Sequence, residues 1–152
     1  MHLRALQCWR RLQEAGLDVE VQELAESTRT AGEAAAAVGC EVGQIVKSLL
    51  FVVKAKPVLV LCAGDRRVDL AKLGDGAAQA RPDQVKSATG YAIGGVPPLG
   101  HTHELPTVVD GSLRRFASVW CAAGTPNAVF EVALAALIAA IPGVEVRDVA
   151  QA

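Results

Sequence analysis

Apolar and polar positions alternate along this chain with a period that changes from segment to segment. Over residues 1–16, Leu3, Leu6, Trp9, Leu12 and Ala15 recur at helical spacing opposite Arg4, Arg11 and Glu14, and Gly16 stops the run. This pattern predicts an amphipathic helix with those residues as its apolar stripe. Val19 and Val21 alternate with polar neighbours and predict a short strand. Thr28 or Thr30 caps a second helix through Glu33-Ala34-Ala35-Ala36-Ala37-Val38, and Gly39 ends it.

The centre changes to sheet. Ile45-Val46-Lys47-Ser48-Leu49-Leu50-Phe51-Val52-Val53 and Pro57-Val58-Leu59-Val60-Leu61-Cys62 are apolar runs rich in strand formers, so both are expected as strands covered on both faces. A turn at Ala63-Gly64-Asp65 leads to a short strand, Arg67-Val68-Asp69-Leu70. Asp69 and Pro82-Asp83 read as starts of helices over 69–74 and 82–88. Beyond a Gly/Pro-rich loop from Gly90 to Pro106, strands are expected at 107–110, 117–121 and 128–132. A helix from Ala133 to Ile141 and an edge strand at Val144-Glu145-Val146 complete the chain. The element order predicts one α+β domain over residues 1–152, a twisted mixed β-sheet surrounded by helices.

Composition narrows the class. The 152 residues are 51% hydrophobic and 20% charged, with a mean hydropathy of +0.30, enough for a full core. No apolar run approaches the ~20 residues that span a bilayer. The start carries arginines and no small-residue cleavage site, so a secretory signal is not expected and a cytoplasmic location is. Fifteen basic against sixteen acidic residues leave a net charge of −1, and a nucleic acid would have to be gripped locally. Arg10-Arg11, Lys54/Lys56, Arg66-Arg67 and Arg114-Arg115 are the candidate pairs, although such a pair is more often solvated surface. Cys8, Cys40, Cys62 and Cys121 contain no C-x-x-C. Cys62 and Cys121 end apolar runs as small buried hydrophobes.

Four segments could carry chemistry. Lys47 lies in a strand whose neighbours are apolar, so it either reaches the surface along its stem or is held in a pocket with a task. Gly90-Tyr91-Ala92-Ile93-Gly94-Gly95-Val96-Pro97-Pro98-Leu99-Gly100-His101 specifies a backbone path through its glycines and prolines. Such a loop can offer main-chain groups to a ligand or simply be tight; it matches no nucleotide fingerprint. His101-Thr102-His103-Glu104 would bind a metal only with a ligand from elsewhere. Ala122-Ala123-Gly124-Thr125-Pro126-Asn127-Ala128 is a second small-residue turn, readable as a pocket wall or a hairpin. There is no G-x-S-x-G nucleophile motif.

The ordered set Glu33-Ala34-Ala35…Gly39, Gln44-Ile45-Val46-Lys47-Ser48-Leu49, Val68-Asp69-Leu70-Ala71-Lys72-Leu73, Gly90-Tyr91…Gly94-Gly95-Val96-Pro97-Pro98-Leu99-Gly100-His101, Val109-Asp110 and Ala123-Gly124-Thr125-Pro126 resembles the YbaK/ProX family. These are free-standing relatives of the editing domain of bacterial prolyl-tRNA synthetase. The resemblance covers roughly residues 28–140. It implies a single α+β domain and hydrolysis of the ester joining a wrong amino acid to the 3′-terminal adenosine of tRNA. It implies neither metal nor nucleotide cofactor. By position Lys47 matches the family's essential lysine, and Gly94-x-x-x-Pro98 its substrate-holding loop, with Gly95, Val96, Pro97, Gly100 and His101 in the same stretch. Ser48 takes the hydroxyl position beside the lysine. Thr30, Asp110, Gly124 and Thr125 match further substrate-binding positions. Asn127 stands where many relatives carry histidine; its amide hydrogen-bonds but does not titrate near neutral pH.

The expected partner is the acceptor end of aminoacyl-tRNA, bound loosely, with a synthetase or elongation factor as a candidate helper. Two other readings remain open: a binding module without turnover on the same fold, and a metal hydrolase built on His101 and His103.

Overall fold

A computed structural model describes residues 1–25 and 30–152. Helix α1 (Leu3–Glu14) opens the chain and is followed by β1 (Gln22–Glu23) and α2 (Ala31–Val38). A 3-10 turn at Val42–Gln44 leads into β2 (Val46–Val53) and β3 (Lys56–Ala63), then β4 (Arg67–Val68), α3 (Leu70–Leu73), β5 (Ala78–Gln79) and α4 (Pro82–Thr89). The second half holds β6 (Thr107–Asp110), a 3-10 turn at Gly111–Arg115, β7 (Ser118–Ala122), β8 (Ala128–Ala133), α5 (Leu134–Ala140), β9 (Glu145–Arg147) and β10 (Ala150–Gln151).

The expected mixed sheet is the five-stranded layer β5-β2-β3-β6-β9, in which β2 and β3 are antiparallel while β3-β6 and β6-β9 are parallel. It does not take in every strand. β1, β8 and β7 form a separate antiparallel sheet, and β10 pairs with β4. Among the described residues one isolated parallel bridge, Ile45 to Trp120, joins the two larger sheets.

The uninterrupted apolar run of β3 serves two cores at once. Successive side chains alternate faces: Leu59, Leu61 and Ala63 enter the larger core with Val46, Leu50 and Val109, whereas Val60 and Cys62 enter a smaller one with Phe51, Val108 and Val149. Cys62 and Cys121 are buried, as their position at the ends of apolar runs predicts.

Local chemistry sets the helix ends. The Thr30 hydroxyl accepts from the Glu33 amide at 3.1 Å and Gly39 closes α2 in the left-handed region, φ +77°; Thr28, the other candidate cap, lies outside the described residues. Asp69 caps α3, and Pro82 sits in the first turn of α4. The β2–β3 hairpin turns through Lys54 (φ +51°) and Ala55 (φ +64°), two side-chain-bearing residues in glycine's territory.

The face of α1 differs from expectation. Its buried residues are Ala5, Cys8 and Leu12, while Leu3 is 66% and Leu6 48% exposed. The reason is close approach: a Cβ on Gly124 would lie 2.8 Å from the Arg4 carbonyl oxygen and 3.0 Å from Cys8 Cβ. Only the small-residue face of α1 fits there. The first short strand is also displaced, from Val19 and Val21 to Gln22–Glu23; Val21 is buried, and the Val19 carbonyl accepts from the Trp9 indole at 2.8 Å.

Candidate functional site

A cavity of about 260 Å³ opens where the two larger sheets diverge. Its floor is the first half of β2, residues 46–50. Thr30, Ala31, Ala34 and Val38 of α2 form one wall, and Trp120, Cys121, Ala122 and Val129 of the second sheet form another. Ile93, Gly94 and Val96 close the third side beside Ala80 and Val85. Most of these side chains are apolar, and the alanines of α2 leave the space that larger residues would fill. Ile93 is 56% exposed at the rim.

Lys47 is part-buried on β2 opposite Cys62. Its Nζ donates to the Arg66 main-chain carbonyl. Burial pushes the Cys62 thiol up to about 11, and the Lys47 ammonium partly offsets this. The turn bearing Arg66 is fastened by Asp65, whose carboxylate accepts two bonds from the Arg115 guanidinium, both at 2.8 Å. That guanidinium also lies 5.0 Å from the Phe116 ring centroid, and its bonds hold the Asp65 carboxyl below the usual carboxylate range.

Ser48 lines the cavity between Val46 and Leu50. Its Oγ is covered and has no hydrogen-bond partner among the described residues, although the residue as a whole is part-exposed. Thr30 stands at the cavity wall with its hydroxyl engaged in capping and donating to Glu33 Oε1 at 3.2 Å.

The glycine loop is divided between lining and support. Gly94 (φ +91°) and Val96 reach the cavity. Gly95 faces the other way, and a Cβ there would lie 2.7 Å from the Gly124 carbonyl oxygen. The Gly95 amide donates to Ala92 O at 3.0 Å, and its carbonyl accepts from Gly124 N at 2.9 Å. The loop is thus riveted main chain to main chain through the Gly95 carbonyl, while the Gly95 amide is committed to a turn within the loop. Pro97 and Pro98 are buried beyond the cavity, and a Cβ on Gly100 would lie 3.2 Å from Arg11 Cβ.

His101 Nε2 lies 2.7 Å from the Pro97 carbonyl, to which the neutral ring donates. Burial lowers its basicity below the ordinary 6.5. His103 is exposed and bonds Thr102 Oγ1 at 3.2 Å. Among the described residues no three His, Cys, Asp or Glu side chains converge as metal ligands.

Asp110, Thr125 and Asn127 are engaged elsewhere. Asp110 Oδ1 accepts from Val149 N at 2.9 Å and Oδ2 from Ser112 N at 3.1 Å and from the Ser112 hydroxyl. Burial opposes ionisation of this carboxyl, but those donors outweigh it and hold it below the usual value. The Thr125 hydroxyl donates to Asn127 Oδ1 at 3.0 Å, and Asn127 Nδ2 donates to Leu24 O at 3.2 Å. These groups pin β6 to the chain's last strand, and the turn around Gly124 to the segment after β1.

The sequence reading and the cavity therefore share Lys47, Ser48, Thr30, Gly94 and Val96. Pro97, Pro98, Gly100, His101, Gly124, Thr125 and Asn127 lie around or behind the wall formed by the Gly94 loop, and Asp110 ends β6, bonded to Ser112 and Val149. Trp120, Ile93 and the alanines of α2 were not singled out from sequence. Only the alanine run carried a signal, as a helix with room beside it.

Residues 25–140 match the aminoacyl-tRNA editing domain family. The uncharacterised protein YwhH of Bacillus subtilis is 36% identical over 118 residues, 74% of this chain and 75% of that one. EbsC of Enterococcus faecalis, named as a candidate Cys-tRNA(Pro)/Cys-tRNA(Cys) deacylase, is 27% identical over 124 residues, 78% of this chain and 76% of its own. A crystal structure described as a candidate trans-editing enzyme for prolyl tRNA synthetase superposes with a TM-score of 0.93 at 43% identity, over 100% of this chain and 99% of that one. Among the described residues no helix is long and apolar enough to cross a membrane.

Proposed function

The chain belongs to the aminoacyl-tRNA editing domain family, and on that footing we propose that it is a trans-editing deacylase. It hydrolyses the ester of a small amino acid wrongly attached to tRNA, with tRNA-Pro carrying alanine, cysteine or a similar residue as the first candidate. The observation that carries this reading is the small, largely apolar cavity of about 260 Å³ beside Lys47 and the Gly94 loop. The name of EbsC and the description of the 43%-identical structure support it.

The chemistry asked of such a site is modest. An aminoacyl ester is already activated, so catalysis consists of orienting it, placing a water and stabilising the oxyanion that develops. Lys47 is the residue we assign to electrostatic stabilisation: one of its three donors is spent on Arg66 O, which orients the ammonium and leaves two donors for substrate. The rivet to Gly124 keeps the Gly94–Pro98 loop in place as the other jaw. The apolar walls sort amino acids by size, a filter worth about 1–3 kcal/mol per methylene. Weak net charge confines tRNA contact to the acceptor end.

The test is a deacylation time course on tRNA-Pro charged in turn with alanine, cysteine, serine, threonine and proline, with wild type beside Lys47→Ala. Loss of one or two small amino acids, sparing proline and abolished in the variant, is the expected result. Binding of charged tRNA without turnover of any ester overturns it in favour of a binding module.

A further inference from the structure

Strand β2 has a gap in its hydrogen-bonded edge, and the cavity opens onto that gap. Its inner edge pairs with β3 along the full strand, from Val46–Ala63 to Val53–Lys56. On the outer edge β5 pairs only at Phe51 and Val52, with one more bond from the Ala80 amide to the Leu50 carbonyl at 3.0 Å. There the chain leaves at Arg81, the N-cap of α4. At the other end β7 packs against this edge, but among the described residues the second sheet pairs with it only through the Ile45–Trp120 bridge.

A strand residue sends its N–H and C=O to the same edge, and successive residues alternate edges. The Leu50 carbonyl points outward, so Ser48 two residues earlier directs its own amide and carbonyl outward as well. Among the described residues no strand pairs with Ser48 on that side. Ser48 is part-exposed while its Oγ is covered, so what it shows the cavity is its Cβ and main chain.

An aminoacyl ester is one residue long, with one ammonium donor and one carbonyl acceptor. Those two groups are the complement of one antiparallel rung. We infer that the Ser48 main chain is the cradle for the aminoacyl group: its carbonyl accepts from the substrate's α-ammonium and its amide donates to the ester carbonyl. This rests on the deacylase reading and extends it. The rung holds the group common to all amino acids and leaves selection to the apolar walls. It also offers an N–H at the oxygen on which charge develops during attack. Ser48 is thus assigned a substrate-positioning role through its backbone.

Two measurements test it, each on the intact protein. In the first, serine 48 is replaced by its α-hydroxy acid analogue, which exchanges the amide N–H for an ester oxygen and keeps the side chain. The removed N–H points away from β3, so no donor of the ladder is lost, although the Lys47 carbonyl that faces Cys62 becomes a weaker ester acceptor. The expected result is a kcat/KM lower by about 10-fold or more on the aminoacyl-tRNA that the wild type hydrolyses best, with cooperative unfolding retained and only a small fall in melting temperature from the weakened Lys47 carbonyl. A kcat/KM within twofold of wild type overturns the inference.

In the second, wild type is given that aminoacyl-tRNA and its deaminated α-hydroxyacyl counterpart, each rate divided by the ester's own hydrolysis in buffer. Loss of the charge-assisted bond should lower the ratio about 10-fold. Equal ratios overturn the inference, whether or not the backbone-ester protein folds. If the wild type hydrolyses no ester at all, the deacylase reading fails first and the cradle falls with it. If it hydrolyses esters and ignores both changes, only the cradle falls.

Discussion

The ammonium of Lys47 is held by the main-chain carbonyl of Arg66, a partner that no side-chain substitution can remove. The carbonyl is itself fixed, because the neighbouring Asp65 is clamped to Arg115 by two bonds of 2.8 Å. A lysine near the start of β2 is thereby aimed by backbone. This explains how Lys47 can be tolerated beside buried neighbours with no carboxylate ion pair among the described residues.

Lys47→Ala should lower kcat/KM for deacylation by about 100-fold or more, the scale of losing one preorganised oxyanion donor. Because Lys47 is only part-buried, the melting temperature should move by no more than about 4 °C. A collapse in melting temperature would make Lys47 a structural residue. Differential scanning fluorimetry beside the kinetics separates the two.

Gly95→Ala should disturb the loop from behind. The new methyl would sit 2.7 Å from the Gly124 carbonyl oxygen and 3.0 Å from the Thr125 amide nitrogen, and both are backbone atoms that cannot swing aside. A destabilisation of about 1–3 kcal/mol is expected from such overpacking, read by urea unfolding. Deacylation should fall with it, since Gly94 and Val96 are carried by the same segment.

Acid should act through Asp110. Its carboxyl is lower in the folded chain than its ordinary 3.8, so the folded state binds the proton more weakly than the unfolded one. The stabilisation is present above the unfolded value and is lost as pH falls through the folded one. Asp110→Asn should therefore cost about 1–3 kcal/mol at neutral pH and flatten the fall in stability on acidification. Urea midpoints measured from pH 6 down to about 2 would show it.

Thiol reagents should leave activity intact at neutral pH. Cys121 lines the cavity, but burial holds its thiol far above the usual range, and Cys62 is raised to about 11 and Cys8 to about 12. None is the thiolate that alkylation or covalent catalysis needs. Iodoacetamide treatment followed by a deacylation assay checks this; inactivation with label on Cys121 would point to a covalent route instead.

Ala55→Gly should stabilise the protein by about 1 kcal/mol. Ala55 sits at φ +64° in the β2–β3 hairpin, where a Cβ is strained and glycine is not. The shift in urea midpoint, with deacylation unchanged, is the readout.

Much of the fold was legible because its causes are local. The strands through 46–53 and 56–63, the Thr30 and Asp69 caps and the Gly39 stop follow from side-chain pattern and hydrogen-bonding chemistry within a few residues. The buried face of α1 was not, because Ala5 and Cys8 are chosen by Gly124, more than a hundred residues away in the chain. Strands β5 and β10 have two residues each, too few to carry a period. For the cavity, Lys47 and Gly94 were visible as oddities of their segments. Trp120 and Ile93 belong to it only through the meeting of two sheets, which no single segment encodes. Asn127 stands where many relatives carry histidine, and here its amide spans Thr125 and Leu24 and ties down a turn.

The frame of the cavity and its lining are made of different material. The rivet between Gly95 and Gly124, the anchor of Lys47 and the bare edge at Ser48 all use main-chain atoms. The walls are independent apolar side chains such as Val38, Val46 and Val129, drawn from separate elements. Substitution can therefore reshape the pocket one residue at a time without moving the reacting groups. On the proposed deacylase reading, a scaffold of this kind could change which amino acid it accepts by small steps in its walls while its main-chain frame stays in place.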